Sequence, residues 1–172
     1  MRMPVSMTAL TLSALGLISQ AEAQVYEAWV DDDWFGCAPG DPVGGHTCDT
    51  DAFASIQNAI DAVASPANIY VAPGIYEENL ILIKDDVSIL GSGASTTAID
   101  GGKNGSTIEV QGPNVEVLVS GFMISNGTGE PIGSYTYGGG VLVRDAKLTL
   151  IDSTLTGNWS SDGAGGIEAR SS

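Results

Sequence analysis

Beyond residue 64 the chain is written in short runs where apolar and polar residues alternate, and glycine-rich turns separate the runs. Period-two alternation places residues i and i+2 on one face of a strand, so each run reads as a strand with one buried side. The runs also recur. Val87 to Gly93 aligns with Val115 to Gly121 at an offset of 28, and residues 115–127 align with residues 146–158 at an offset of 31. The second alignment sets Val117 against Leu148, Val119 against Leu150 and Ile124 against Leu155. Gly139-Gly140-Val141 matches Gly165-Gly166-Ile167 at an offset of 26, with Ile108 in the same column one turn earlier.

A unit of 26 to 31 residues built from three short strands has no core of its own. It buries apolar surface only by stacking on its neighbours. The pattern predicts an all-β solenoid of about three coils, a parallel β-helix. Val87, Val115 and Ala146 are expected in one inward column, and Ile108, Val141 and Ile167 in another. Glu109 and Glu168 then point outward.

One segment breaks the strand pattern. In residues 51–64, Phe53, Ile56, Ala59, Ile60 and Val63 recur at helical spacing. This predicts an amphipathic helix with Thr50 or Asp51 as N-cap and Pro66 as its stop. Set before the first coil, the helix would cap the solenoid, whose end otherwise exposes apolar residues and unpaired strand edges.

The first residues stand apart from the fold. Arg2 is followed by a largely apolar stretch at residues 5–18 and then Ala21-Glu22-Ala23, a small-x-small cleavage signal. Residues 1–23 therefore read as a secretory signal peptide, which leaves Gln24 as the mature N-terminus; an uncleaved N-terminal anchor is the other reading. No later run approaches the ~20 apolar residues of a membrane span. The expected organisation is a signal peptide (1–23), an irregular turn-rich segment (24–50) and a β-helix (51–172) on a secreted or cell-surface protein. The last coil reaches Ile167-Glu168-Ala169 without a capping element. This raises two expectations, an interrupted domain and self-association through an open C-terminal edge.

Charge narrows the partners. The chain has 21 acidic and 6 basic residues, a net charge of −15. Beyond residue 23 the cations are Lys84, Lys103, Arg144, Lys147 and Arg170. Nucleic acid is excluded as a partner, because its affinity comes largely from Lys and Arg neutralising phosphates. A polyanionic polysaccharide would need a divalent cation such as Ca²⁺ to bridge the like charges. Cys37 and Cys48 are expected to pair in an oxidising compartment and close a Gly/Pro-rich loop, gaining roughly 2–3 kcal/mol in the chain-entropy model.

Several motifs together resemble a known family. They are residues 53–63, then Ile69-Tyr70-Val71-Ala72-Pro73-Gly74-Ile75-Tyr76-Glu77-Glu78-Asn79, then Leu90-Gly91-Ser92-Gly93 and Ile99-Asp100-Gly101-Gly102. This opening is similar to that of pectin-lyase-like right-handed parallel β-helices, in particular pectin methylesterases and secreted bacterial β-helix proteins. The later Gly139-Gly140-Val141 and Leu155-Thr156-Gly157-Asn158 steps resemble those of β-helical surface proteins and autotransporter passengers. The resemblance runs from about Phe53 to the end and implies a right-handed β-helix. It also implies that the Gly74, Tyr76, Glu78 step is structural.

The catalytic motifs of these relatives are missing. No stretch matches the Asp-Phe-Ile-Phe-Gly or Gln-Asp-Thr segments of the methylesterases. A pectate lyase needs calcium-binding carboxylates beside an Arg or Lys base, and the central candidates, Arg144 and Lys147, flank Asp145 as ordinary surface partners. An acid–base pair could be drawn only from Asp100, Glu109, Asp145 and Asp152.

Two functional classes follow. One is a non-catalytic secreted or surface module that contacts a polysaccharide or cell-surface glycan, or serves as an adhesin-like or structural element. The other is the N-terminal part of a polysaccharide-degrading enzyme whose catalytic coils lie elsewhere. The glycan-contact candidates are Tyr135, Tyr137 and Trp159, whose rings offer apolar faces to sugars. Asp31, Asp32 and Asp33 form the densest acidic site and the candidate Ca²⁺ ligands, although adjacent side chains splay apart and favour a solvated edge. Asp49 and Asp51 read as helix-cap partners, and His46 as a loop residue. Sequons at Asn104, Asn126 and Asn158 imply surface turns.

Overall fold

The computed structural model describes residues 24–171, and the proposed signal peptide lies outside them. The described chain is mainly β, with several parallel sheets and one α-helix. From Val63 onward it visits three parallel sheets in strict rotation. The first sheet takes Val63–Val71, Val87–Gly91, Glu116–Ser120 and Lys147–Ile151. The second takes Gly74–Glu77, Thr97–Asp100, Met123–Ser125 and Thr154–Thr156. The third takes Leu80–Leu82, Ile108–Gln111, Val141–Arg144 and Ile167–Arg170. The chain thus makes four circuits of the three sheets, one more than the expected three. The additional circuit is the first, at residues 63–82, whose strands are spaced too tightly to match the later period.

The columns follow the predicted alternation. Val117 pairs with Leu148, Val119 with Leu150, Ile124 with Leu155, and Ile108 with Val141, which pairs in turn with Ile167. One register differs from expectation. Val87 pairs with Val117 rather than Val115, so the column is Ala67, Val87, Val117, Leu148. Sliding a strand by two residues keeps the same side chains inward, so the alternation alone cannot separate the two registers. The glycines decide it. A Cβ on Gly91 would lie 2.6 Å from the Gly121 carbonyl oxygen, and one on Gly121 would lie 2.5 Å from that of Gly91. The stacked turns close only with glycine at both positions.

The interior is filled by Ile69, Ile89, Val119, Ile99, Ile124, Phe122, Ile108 and Val141, all essentially inaccessible to water. Glu109 alternates with the core residues Ile108 and Val110, as expected, but is buried. An antiparallel hairpin, Glu130–Ile132 with Tyr135–Tyr137, is inserted before the third sheet's Val141–Arg144. It docks through Ser106, whose hydroxyl donates to the Tyr137 carbonyl and accepts the Glu130 amide. Arg144 pairs with the Glu109 carboxylate, so that buried charge is compensated.

The N-terminal region differs most from the sequence reading. Residues 24–50 are not wholly irregular: Val25–Val30 is a strand that extends the first sheet beside Val63–Val71. Ala28 and Val30 face the core and Trp29 faces out. The short alternating stretch carries too few apolar residues to stand out beside the acidic run that follows. The helix is also shorter than predicted, Ile56–Ala62, with Ser55 as N-cap. Ala52–Phe53 pairs in the sheet instead, as Trp29 and Val30 line up with Ala52 and Phe53. Ile56, Ala59 and Ile60 bury against the core. At the helix C-terminus the Lys84 ammonium donates to the carbonyls of Ile60, Asp61 and Val63, where a cation complements the helix dipole.

Candidate functional site

The Gly74, Tyr76, Glu78 step makes contacts within the fold. Glu78 caps the helix. The buried Tyr76 hydroxyl donates toward the Ala72 and Val30 carbonyls at 3.1 and 3.4 Å. Burial pushes its phenol upward in pKa, and the Asp32 and Asp31 carboxylates add to the effect. Tyr76 thereby ties the turn at Ala72-Pro73 to the strand Val25–Val30. That turn forms one rim of an aromatic cleft.

The floor of the cleft is set by the first sheet's outer face. Trp29, Tyr70 and Leu90 occupy one outward column because their neighbours on each strand point into the core. Neighbouring strands lie ~4.8 Å apart, and the Trp29 and Tyr70 rings stack with centroids 5.5 Å apart. A third ring comes from the disulfide loop. Cys37 and Cys48 are bonded, as expected from the sequence. Between them a small hairpin, Pro42–Val43 with His46–Thr47, presents the His46 imidazole to Trp29 at 4.0 Å between centroids.

His46 is oriented by Asp51. Its Nδ1 donates to Asp51 Oδ2 at 3.2 Å, while Asp51 Oδ1 accepts the Thr47 amide at 2.7 Å. Burial raises the Asp51 pKa, but the Thr47 amide and His46 outweigh it, so the carboxyl titrates below its ordinary value. Asp51 is therefore a partner of His46 rather than a helix cap. Trp34, from the 3-10 turn Asp32–Trp34, closes the remaining side. It packs so closely on Gly44 that a Cβ there would fall 2.6 Å from the indole, and the backbone of Gly44 has φ +55°. The result is an open cleft of about 460 Å³. Asp31 and Ser92 are polar groups on its lining.

The acidic run sits at this rim. Asp31, Asp32 and Asp33 bring carboxylate oxygens within 4.8 Å of one another. Asp31 Oδ1 accepts the Asp33 amide and caps the 3-10 turn, and Asp32 lies against Gly74.

The predicted glycan contacts lie elsewhere, and none of them lines this cleft. Tyr135 is 55% exposed on the inserted hairpin, and Trp159 is 59% exposed in the loop before Ile167–Arg170. Tyr137 has protein partners: Arg170 lies 4.1 Å over its ring, and its hydroxyl meets Asp162 at 3.2 Å. Two members of the acid–base pool are similarly occupied. Asp100 accepts the Asn126 amide and the Gly102 N–H, Glu109 is held by Arg144, and Asp145 and Asp152 lie in left-handed turns.

The cleft residues Trp29, Trp34, His46 and Tyr70 escaped the sequence reading as a set. The available signal was the alternation in residues 25–30, which makes Trp29 an outward aromatic beside a cysteine-closed loop. Neither family models nor curated proteins give a match to this chain.

Proposed function

We propose that this chain is a secreted, right-handed parallel β-helix of the pectin-lyase-like type that binds glycan without cleaving it. The strict rotation through three parallel sheets supports the β-helix reading. Parallel crossover connections are overwhelmingly right-handed. The N-terminal signal and the disulfide support export.

One observation carries the glycan reading: the half-buried stack of His46, Trp29 and Tyr70, with Trp34 beside it, walling an open cleft with polar groups at its rim. Sugars present an apolar face and a polar edge, and half-exposed aromatic rings bordered by hydrogen-bonding groups match both. The stacked rings are also rigid, so little entropy is lost on binding.

The test is a glycan array on the full chain, followed by titration of each hit by tryptophan fluorescence. Binding that Tyr70→Ala weakens at least about tenfold, the scale of losing a well-placed aromatic contact, supports the reading. Binding left unchanged by Tyr70→Ala and Trp34→Ala moves the site away from the cleft. Release of shortened products from any polysaccharide replaces this reading with an enzymatic one.

A further inference from the structure

The aromatic cleft has a charge as well as a shape. Asp31 is on its lining, and no lysine or arginine is. Behind Asp31 stand Asp32 and Asp33, with carboxylate oxygens within 4.8 Å of it and of each other. His46, also on the lining, is bound to a second carboxylate, Asp51. The hydrogen bonds of Asp31 are also informative. Its Oδ1 accepts the Asp33 amide, and among the described residues Oδ2 accepts none. The ion pairs of the described residues formed by Arg144, Lys147 and Arg170 are with Glu109, Glu116 and Glu168, on later circuits. The negative potential at the cleft is therefore not offset locally.

We infer that the ligand of this cleft is a positively charged amino sugar, a glucosamine-type unit with a free ammonium group. This rests on the glycan reading above and adds its charge. Aromatic faces and a carboxylate around one cavity are complementary to an organic cation, because the ring quadrupole and the carboxylate both attract it. A neutral sugar would use the rings but leave Asp31 uncompensated. A uronate would place its carboxylate beside Asp31 and be repelled. An ammonium on a pyranose ring satisfies both features at once, with the apolar ring face against the aromatics and the ammonium toward Oδ2 of Asp31.

The experiment compares four tetrasaccharides on the full chain by calorimetry, at a pH where the amine is protonated: β-linked glucosamine, its N-acetylated counterpart, cellotetraose and tetragalacturonate. The glucosamine oligomer is expected to bind at least about tenfold more tightly than the two neutral oligomers, an advantage that shrinks as salt shortens the Debye length to ~3 Å near 1 M. Asp31→Asn keeps an oxygen to accept the Asp33 amide, so the turn persists, and it is expected to bring the glucosamine-to-neutral ratio close to one. Circular dichroism and the thermal midpoint verify that the variant is folded. Equal or weaker binding of the glucosamine oligomer relative to its N-acetylated form overturns the charge inference while leaving glycan binding intact. So does a preference that survives Asp31→Asn in a folded protein. Failure of all four to bind overturns the amino-sugar inference, while array hits of other chemistry would still uphold the broader reading.

Discussion

Glu78 caps a helix that begins more than twenty residues before it: its Oε2 accepts the Ser55 hydroxyl at 3.0 Å. The same carboxylate accepts the Ile56 and Gln57 amides, both at 2.9 Å. Ser55 in turn accepts the Asn58 amide at 3.3 Å. Three of the otherwise unpaired N-terminal amides are thus satisfied, two of them by a side chain from the first circuit. The bonds fix the helix onto the strands as well as capping it. Glu78→Ala should lower the unfolding free energy by about 1–3 kcal/mol. Glu77→Ala, one residue earlier and exposed, should stay within about 0.5 kcal/mol of the parent. Urea unfolding of the two variants measures the difference, and equal costs would show that Glu78 contributes no capping energy.

The interior columns make a second prediction, because burial differs along them. Ile124 is fully buried, with Ile99 on one side and Leu155 on the other. Leu155 itself is only partly buried. Ile124→Ala should cost about 2–5 kcal/mol, as large-to-small changes in closed cores do. Leu155→Ala should cost less than half as much, since its side chain already meets solvent and leaves a smaller cavity. Chemical denaturation of both variants settles the ranking, and a Leu155→Ala cost as large as that of Ile124→Ala would mean the last circuit is buried in solution.

Much of this architecture was legible in the sequence, and the part that was not has physical causes. The pairings of Val117 with Leu148 and Val141 with Ile167 followed from the repeat, because glycine turns and alternating strands recur together there. The pairing of Val87 with Val117 was displaced by two residues, a shift to which alternation is blind. The helix start was misplaced because Phe53 fits both a helical face and the short strand it actually joins; the strand prevails through pairing with Val30, which no local propensity reports. The aromatic cleft was the least legible feature. Trp29, His46 and Tyr70 lie on three segments, and what unites them is a strand register and a disulfide loop. Tyr135, Tyr137 and Trp159 drew attention because they cluster in sequence near the loops, yet Tyr137 is engaged by Arg170 and Asp162.

The Asp51 interaction predicts a pH dependence. Its folded pKa lies below the unfolded value, held there against burial by the Thr47 amide and His46. A group of this kind contributes stability above its unfolded pKa and loses it as the pH falls through its folded pKa. Asp51→Asn should therefore be less stable than the parent near neutral pH. The gap in urea midpoint should narrow as the pH drops below the ordinary carboxylate value of about 3.9. A gap independent of pH would assign the effect of the substitution to packing rather than charge.

The Cys37–Cys48 bond links stability to the candidate site. It closes a loop with a sequence separation of 11, and that loop carries His46, which stacks on Trp29. Reduction should cost about 2–3 kcal/mol if loop closure dominates. The larger consequence is local. Without the tether, His46 is held by Asp51, by ring stacking and by the pairing of its small hairpin, and the Trp34 wall by its contact with Gly44 and its own 3-10 turn. Glycan affinity should then fall more steeply than global stability, with a shift in tryptophan emission as Trp29 gains solvent. Hydrogen exchange should quicken at residues 37–48 and remain slow at Ile99 and Ile124, fully buried neighbours in one interior column. Unchanged emission and affinity after complete reduction would show instead that the Asp51 bond and the stacked rings suffice to hold the loop in place.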